Sequence, residues 1–228
     1  MSAATISAMT TGQGLRERKK QRTRQLLSET ARRLFSERGF EQVSVAEIAR
    51  EADVSEMTVF NYFPTKEDLV YSGLEIFEEE LLAVIRERPS GQTVIAAFGE
   101  FILEPRGFLA ANDDAAAREP IAVTRMIVAS PALLAREQQI FARYTDALAH
   151  LIAEETAART GDPRPYVVAN ALIGIHRALI VYVREQLEAG VSDRRRLARQ
   201  VHQRGEQALA LLSDGLGHYA AKRQKGER

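Results

Sequence analysis

Four side chains cluster in residues 55–63 in a pattern that suits reading rather than reacting. Glu56, Met57, Phe60 and Asn61 fall together at the spacing of one helix surface, while Val59 and Phe63 (i, i+4) share another. A glutamate accepts a hydrogen bond from cytosine N4, an asparagine pairs with the N6/N7 edge of adenine, and an apolar side chain packs on a thymine methyl. Nearby stand hydroxyls and cations that can bond phosphate oxygens: Thr23, Arg24, Ser44, Tyr62 and Lys66. Val45, Ser55 and Thr58 are assigned to the same expected DNA surface. Catalytic constellations are absent. The four histidines (His150, His176, His202 and His218) have no metal-ligand spacing, there is no cysteine, and no glycine-rich phosphate loop occurs. Neither an enzyme, a metal site nor a cofactor is expected.

Residues 43–66 must position that surface. Val45, Ile48, Ala49 and Ala52 trace one apolar helix face, and Ser44 followed by Glu47 is a capping box that starts the helix. Asp53 sits in the connection, where an Asp tolerates a left-handed turn. Ser55 can cap the second helix and Pro64 ends it. Two short helices joined by a tight turn form a helix-turn-helix, and one helix fits the major groove of B-DNA. Spacing alone fits an ordinary pair of core helices equally well.

Charge separates the two readings. Residues 1–40 hold nine Lys/Arg against three Glu, a net of +6. Residues 71–160 hold eight Lys/Arg against fourteen Asp/Glu, a net of −6, although the whole chain sums to zero. Such asymmetry is expected when one end faces phosphate; a basic helix start that is merely solvated is the plainer alternative. Apolar residues make up 45% of the 228, ample for a buried core. The strongly apolar runs fall short of the roughly 20 residues that cross a bilayer, and residues 1–14 lack the charged and apolar regions of a signal peptide. No membrane partner is expected, and the absence of cysteine is compatible with a reducing cytoplasm.

In chain order, residues 1–14 read as a disordered tail and 16–24 as the first turns of a helix or a flexible arm. Leu27, Ala31, Leu34 and Phe35 give a helix stopped by Gly39. Thr65 with Asp68 caps a long helix over 66–88, broken at Pro89-Ser90-Gly91. A shorter helix from Val94 ends at Pro105, residues 108–117 read as loop or weak helix, and another helix spans 118–129. Ser130-Pro131 starts the next, and residues 160–165 break it. Residues 165–189 form a very apolar helix ended by Gly190; Ser192 caps the last one, and the tail from Ala220 reads as frayed. No strand or repeat emerges, so the expectation is an all-α chain: a disordered tail at 1–14, a three-helix DNA-binding domain over 15–65 and a larger helical domain over 66–228. The stripe on 165–189 is wider than one neighbouring helix covers. A homodimer through the two C-terminal helices buries it, and so does a central helix in a monomer core. Two heads about 34 Å apart would read two half-sites, which favours the dimer.

Residues 20–70 resemble the DNA-binding head of the TetR family of bacterial transcriptional regulators. The likeness rests on Leu34-Phe35 with Gly39-Phe40, Ser44 with Ile48-Ala49, Val54-Ser55, Thr58, Tyr62-Phe63 and Lys66. Asp53 stands where that family has Gly, and Phe60 where it has Tyr, which removes a hydroxyl suited to a phosphate. The resemblance implies a double-stranded operator as partner, a homodimer and a small-molecule pocket in the larger domain, with repression as the usual mode; activation stays open. Phe77, Phe98, Phe101, Phe108, Phe141, Tyr144, Tyr182 and His176 are the pocket candidates, although aromatics at helical spacing read equally as core. An apolar cavity with few polar anchors suits a lipophilic ligand. Residues 124–136 are similar to the regulatory domain of members that sense acyl-CoA-like ligands, which makes Arg125 a candidate partner for a phosphate or carboxylate. An architectural DNA-binding protein without a ligand is the alternative, and it would show a filled core.

Overall fold

Local sequence sets most of the element boundaries. The structure, a computed structural model, describes residues 3–110 and 118–216; side chains within 3–17 are not described. Among the described residues every regular element is helical. The chain divides into two compact units, Met1–Ser72 and Gly73–Arg228.

The first unit holds α1 (Ala3–Arg38), α2 (Val45–Glu51), α3 (Glu56–Tyr62) and a 3-10 turn at Glu67–Leu69. Helix α1 begins well before the expected start, so residues 3–14 are helical rather than a disordered tail and 16–24 are helix rather than arm. Ala3, Ala4 and Ala8, residues of the highest helix propensity, lie in that extension. Gly39 stops α1 at φ 84°, its amide donating to the Phe35 carbonyl at 2.8 Å. The core of this unit is Leu27, Ala31, Phe35, Phe40, Ile48, Val59 and Phe63, all buried. The Phe35 and Phe40 rings lie 5.1 Å apart, one on each side of the Gly39 turn.

The expected helix over 66–88 is broken. Thr65 and Asp68 do cap each other: the Thr65 amide donates to Asp68 Oδ2 at 3.0 Å and the Asp68 amide to Thr65 Oγ1 at 3.3 Å. That box serves only the 3-10 turn, and the next helix, α4, runs Leu74–Glu87. Gly73 precedes it, and glycine is a weak helix former.

The second unit continues with α5 (Val94–Leu103), a 3-10 turn at Gly107–Leu109, α6 (Arg118–Ala129), α7 (Pro131–Thr156), α8 (Arg164–Glu188) and α9 (Arg194–Leu216). Residues 111–117 and the tail from Ala220 lie outside the described residues. The Ser130 hydroxyl accepts from the Leu133 amide and Pro131 takes the first helical position, as the sequence indicates. The last helix is capped differently. Asp193 Oδ1, not Ser192, accepts from the Arg196 amide at 2.9 Å, because Asp193 directly precedes the first helical residue.

Helix α8 packs along α7 on one side and α9 on the other. Val168, Leu172, Ile173, Ile175 and Leu179 are buried in those contacts, while Tyr166, Val167 and Val181 stay exposed. By length and composition α8 could cross a bilayer, with a mean hydropathy of 1.6 over its most apolar window. One face of it, including Val168, Leu172 and Ile173, is buried within this unit. A buried ion pair ties α7 to the end of α4. Arg88, its side chain 1% exposed, forks onto Glu155 with contacts of 2.9 and 2.6 Å.

Candidate nucleic-acid interface and ligand cavity

The turn between α2 and α3 is built by short-range bonds. The Ser44 amide donates to Glu47 Oε2 at 2.8 Å, and the Glu47 amide donates back to Ser44 Oγ at 3.2 Å. Bonding to Ser44, reinforced by Arg38 at 2.9 Å, holds the Glu47 carboxyl down at about 2. Asp53 adopts the left-handed conformation at φ 54°, and the Val54 amide closes the turn on the Ala49 carbonyl at 2.9 Å. Ser55 Oγ accepts from the Thr58 amide at 3.1 Å and so starts α3. Buried Val59 and Phe63 fix that helix, leaving Glu56, Met57, Phe60 and Asn61 exposed. Met57 is 69% and Phe60 43% exposed, a large apolar area to leave in water without a partner.

Most of the expected phosphate contacts have another task within the fold. Arg24 Nη1 donates to the Tyr62 carbonyl at 2.9 Å, and its guanidinium lies 4.4 Å above the Phe63 ring. It therefore caps the C-terminus of α3 and ties α1 to it. Lys66 Nζ sits 4.2 Å above the Phe40 ring, where burial pushes its pKa down. Thr23 Oγ1 donates to the Lys19 carbonyl at 3.1 Å, and the Ser44 and Ser55 hydroxyls serve their caps. Val45 on α2 and Thr58 and Tyr62 on α3 are half-buried. Arg18, Lys19, Lys20 and Arg22 are exposed on α1 and complete the basic face.

Arg24→Met should therefore act through the fold. It is expected to cost the first unit about 1–2 kcal/mol in a denaturant melt, from the lost cation–π contact and cap. The slope of log K for DNA against log salt should stay unchanged. A slope smaller by one would return Arg24 to the phosphate-binding set.

In the second unit a cavity of about 510 Å³ opens among α4, α5, α6, α8 and α9. Phe77 and His176 line it, and their rings stack at 4.6 Å and 11°. Burial, with a further push from Arg106, lowers the His176 pKa to about 4 and keeps the imidazole neutral. Several expected pocket residues are elsewhere. Phe98 and Tyr144 are buried core, and the Tyr144 hydroxyl donates to the Leu74 carbonyl. Phe141 packs edge-on against Tyr144 and His176, in the layer behind the wall. Phe101 packs on Phe77 and carries the Arg106 guanidinium 3.9 Å above its ring. Tyr182 lies under Arg204 at 4.3 Å. The side chain of Phe108 is outside the described residues. Arg125 is exposed and does not line the cavity, because α6 turns Val123, Thr124 and Ile127 inward instead. Sequence reading missed Arg106 and Arg184. Each lines the cavity and is bonded to glutamates far away in the chain: Arg106 to Glu80 and Arg184 to Glu137.

A helix-turn-helix with an exposed second helix, followed in the same chain by a larger helical unit that bears a cavity, is the architecture of a DNA-binding transcription regulator. Residues 27–71 match the description "Bacterial regulatory proteins, tetR family", and residues 104–216 match "MftR C-terminal domain". The chain belongs to the TetR family of transcription regulators, which are not enzymes. The HTH-type transcriptional regulator TcmR of Streptomyces glaucescens is 31% identical over 154 residues, spanning 66% of this chain and 66% of TcmR. MftR of Mycobacterium tuberculosis is 24% identical over 165 residues, 69% of this chain and 78% of MftR. Among solved structures, GusR of Salmonella enterica shares the fold, with a TM-score of 0.50 at 19% identity over 86% of this chain and 95% of its own.

Proposed function

We propose that this regulator is a homodimeric cytoplasmic repressor that leaves its operator when a lipophilic small molecule fills the cavity of the second unit. The observation that carries the reading is the pairing, in one chain, of an exposed α3 surface with that cavity. Glu56, Met57, Phe60 and Asn61 are the base-reading group, and Tyr62 with the exposed cations of α1 is the phosphate-contacting group. The exposed Tyr166, Val167 and Val181 of α8 and Leu211 of α9, which is 80% exposed, support a dimer through these two helices. The cavity disfavours the architectural alternative, which needs a filled core. Arg125, the one residue offered for an acyl-CoA-like phosphate, stands outside the cavity, so the ligand is taken only as lipophilic.

Ligand binding lowers DNA affinity if it favours a conformation in which the two heads no longer match the half-site spacing. Operator affinity is to be measured with and without ligand on a site obtained by in vitro selection. Native mass spectrometry of the purified protein supplies the dimer mass and any co-purified ligand. Unchanged operator affinity with the cavity filled would falsify the induction scheme. On the same site, Asn61→Ala should cost about 1–3 kcal/mol against the preferred sequence and relax preference at one adenine, with the salt slope unchanged. A uniform loss across all sequences would remove Asn61 from the base-reading set.

A further inference from the structure

The charged groups at the cavity are already matched to one another. Arg184 forks onto Glu137, with one contact at 2.9 Å and a second bond beside it. Arg106 is held by Glu80 at 3.0 Å, by Glu104 at 3.5 Å and by the Phe101 carbonyl at 3.3 and 3.4 Å. Three carboxylates thus face two guanidiniums around this space. An entering anion meets no unmatched cation. To bond Arg184 it must displace Glu137 and leave that little-exposed carboxylate partly desolvated, which is unfavourable; at Arg106 it competes with the carboxylates of Glu80 and Glu104. The walls otherwise are apolar: Leu74, Ile102, Ile127, Leu179 and Val183 face the space. The neutral polar exceptions are Thr124 and His176. The His176 ring is stacked on Phe77 with Phe141 edge-on at 5.9 Å, and its nitrogens make no hydrogen bond within the described residues. Its depressed pKa leaves one ring nitrogen as donor and the other as acceptor.

We propose that the cavity takes an uncharged, largely apolar ligand, or the uncharged portion of a larger one, hydrogen-bonded through a hydroxyl or carbonyl to the imidazole of His176, and that it rejects a carboxylate or phosphate. This rests on the reading of the cavity as the ligand site. About 510 Å³ accommodates a compact molecule of that type. The polar end sits at the His176 wall, because that is where an unsatisfied donor and acceptor meet the apolar space. Glu137 acts at one remove, as the residue that keeps Arg184 from attracting anions.

The test uses two probes of one chain length, 1-decanol and decanoate, titrated below their aggregation limits into the full-length protein at pH 7.5 by isothermal calorimetry. Decanol is expected to bind at least tenfold more tightly than decanoate. His176→Phe keeps the stack and apolarity and should cost decanol several-fold. Glu137→Gln removes the carboxylate charge paired with Arg184 and should raise decanoate affinity at least tenfold with decanol unchanged. Ile180→Trp fills the space and should abolish binding of both. Decanoate equal to or tighter than decanol in the wild-type protein, with both lost in Ile180→Trp, overturns the charge inference while the ligand site stands. No gain for decanoate in Glu137→Gln overturns the role given to that glutamate. If neither probe binds, or binding survives Ile180→Trp, the ligand-site reading itself falls and takes this inference with it.

Discussion

Glu155→Ala is expected to lower the stability of the second unit by about 3 kcal/mol, a fall in melting midpoint of roughly 6–12 °C for a unit of this size. The cost comes from the group left behind. Arg88 is almost wholly buried and donates to Glu155 through both terminal nitrogens. Two further bonds, to the Ile85 and Gln92 carbonyls, would survive. They satisfy part of the guanidinium's donors, while its buried charge loses the Glu155 carboxylate. That residual support places the loss at the lower end of the range for a broken buried pair. Removing both members should be milder than removing the glutamate. Arg88→Met with Glu155→Ala takes the stranded charge away and leaves an apolar side chain of similar length, so the double variant should melt above Glu155→Ala alone. Thermal or urea unfolding of the four proteins in the cycle decides it. A Glu155→Ala midpoint within a degree of wild type would show that the pair contributes nothing.

That pair also marks where sequence reading stops. Contacts made within a few residues were legible: the Ser44–Glu47 box, the Ser55 cap, the left-handed Asp53, the Gly39 stop and the Ser130-Pro131 start each depend on neighbours visible in the string. The break between residues 70 and 73 was not. Val70, Leu74 and Phe77 keep a helical apolar rhythm straight across it, and periodicity cannot distinguish one helix from a 3-10 turn followed by another. Ser192 and Asp193 were competing caps one residue apart, and geometry chose the aspartate. Side-chain roles set by distant partners were hidden altogether. The contacts of Arg24 within the fold were hidden because its partners, Tyr62 and Phe63, lie 38 and 39 residues on; Arg184 reaches back 47 residues to Glu137. The cavity is harder still. It is the space five helices leave unfilled, so Phe98 and Tyr144, which share the composition of a pocket wall, proved to be core, while the arginines at its edge carried no periodic signature.

Ile48→Ala should abolish operator binding without touching the second unit. Ile48 is fully buried beneath the α2–α3 turn, and deleting its branched end removes buried area and leaves a void, a loss of about 2–5 kcal/mol. A unit of this size buries a smaller fraction of its surface than a larger domain does and holds only about 5 kcal/mol of net stability. The substitution therefore consumes most of what keeps α3 in place, and α3 carries the whole expected base-reading surface. Phe60→Ala is the matched control: Phe60 is on the same helix and 43% exposed, so its loss should change DNA affinity at one position and leave melting unaltered. Two observables separate the outcomes. Differential scanning calorimetry should show the lower transition displaced and the transition of Gly73–Arg228 unmoved, since that unit has its own core of Leu133, Tyr144, Leu148, Ile152 and Leu172. Binding to the selected operator should disappear at 37 °C and return in part on cooling, as the folded fraction of the first unit recovers. If Ile48→Ala kept the operator affinity within twofold of wild type at 37 °C, the packing of α2 against α3 would not be what positions the reading surface, and the assignment of Glu56, Met57, Phe60 and Asn61 would have to be abandoned with it.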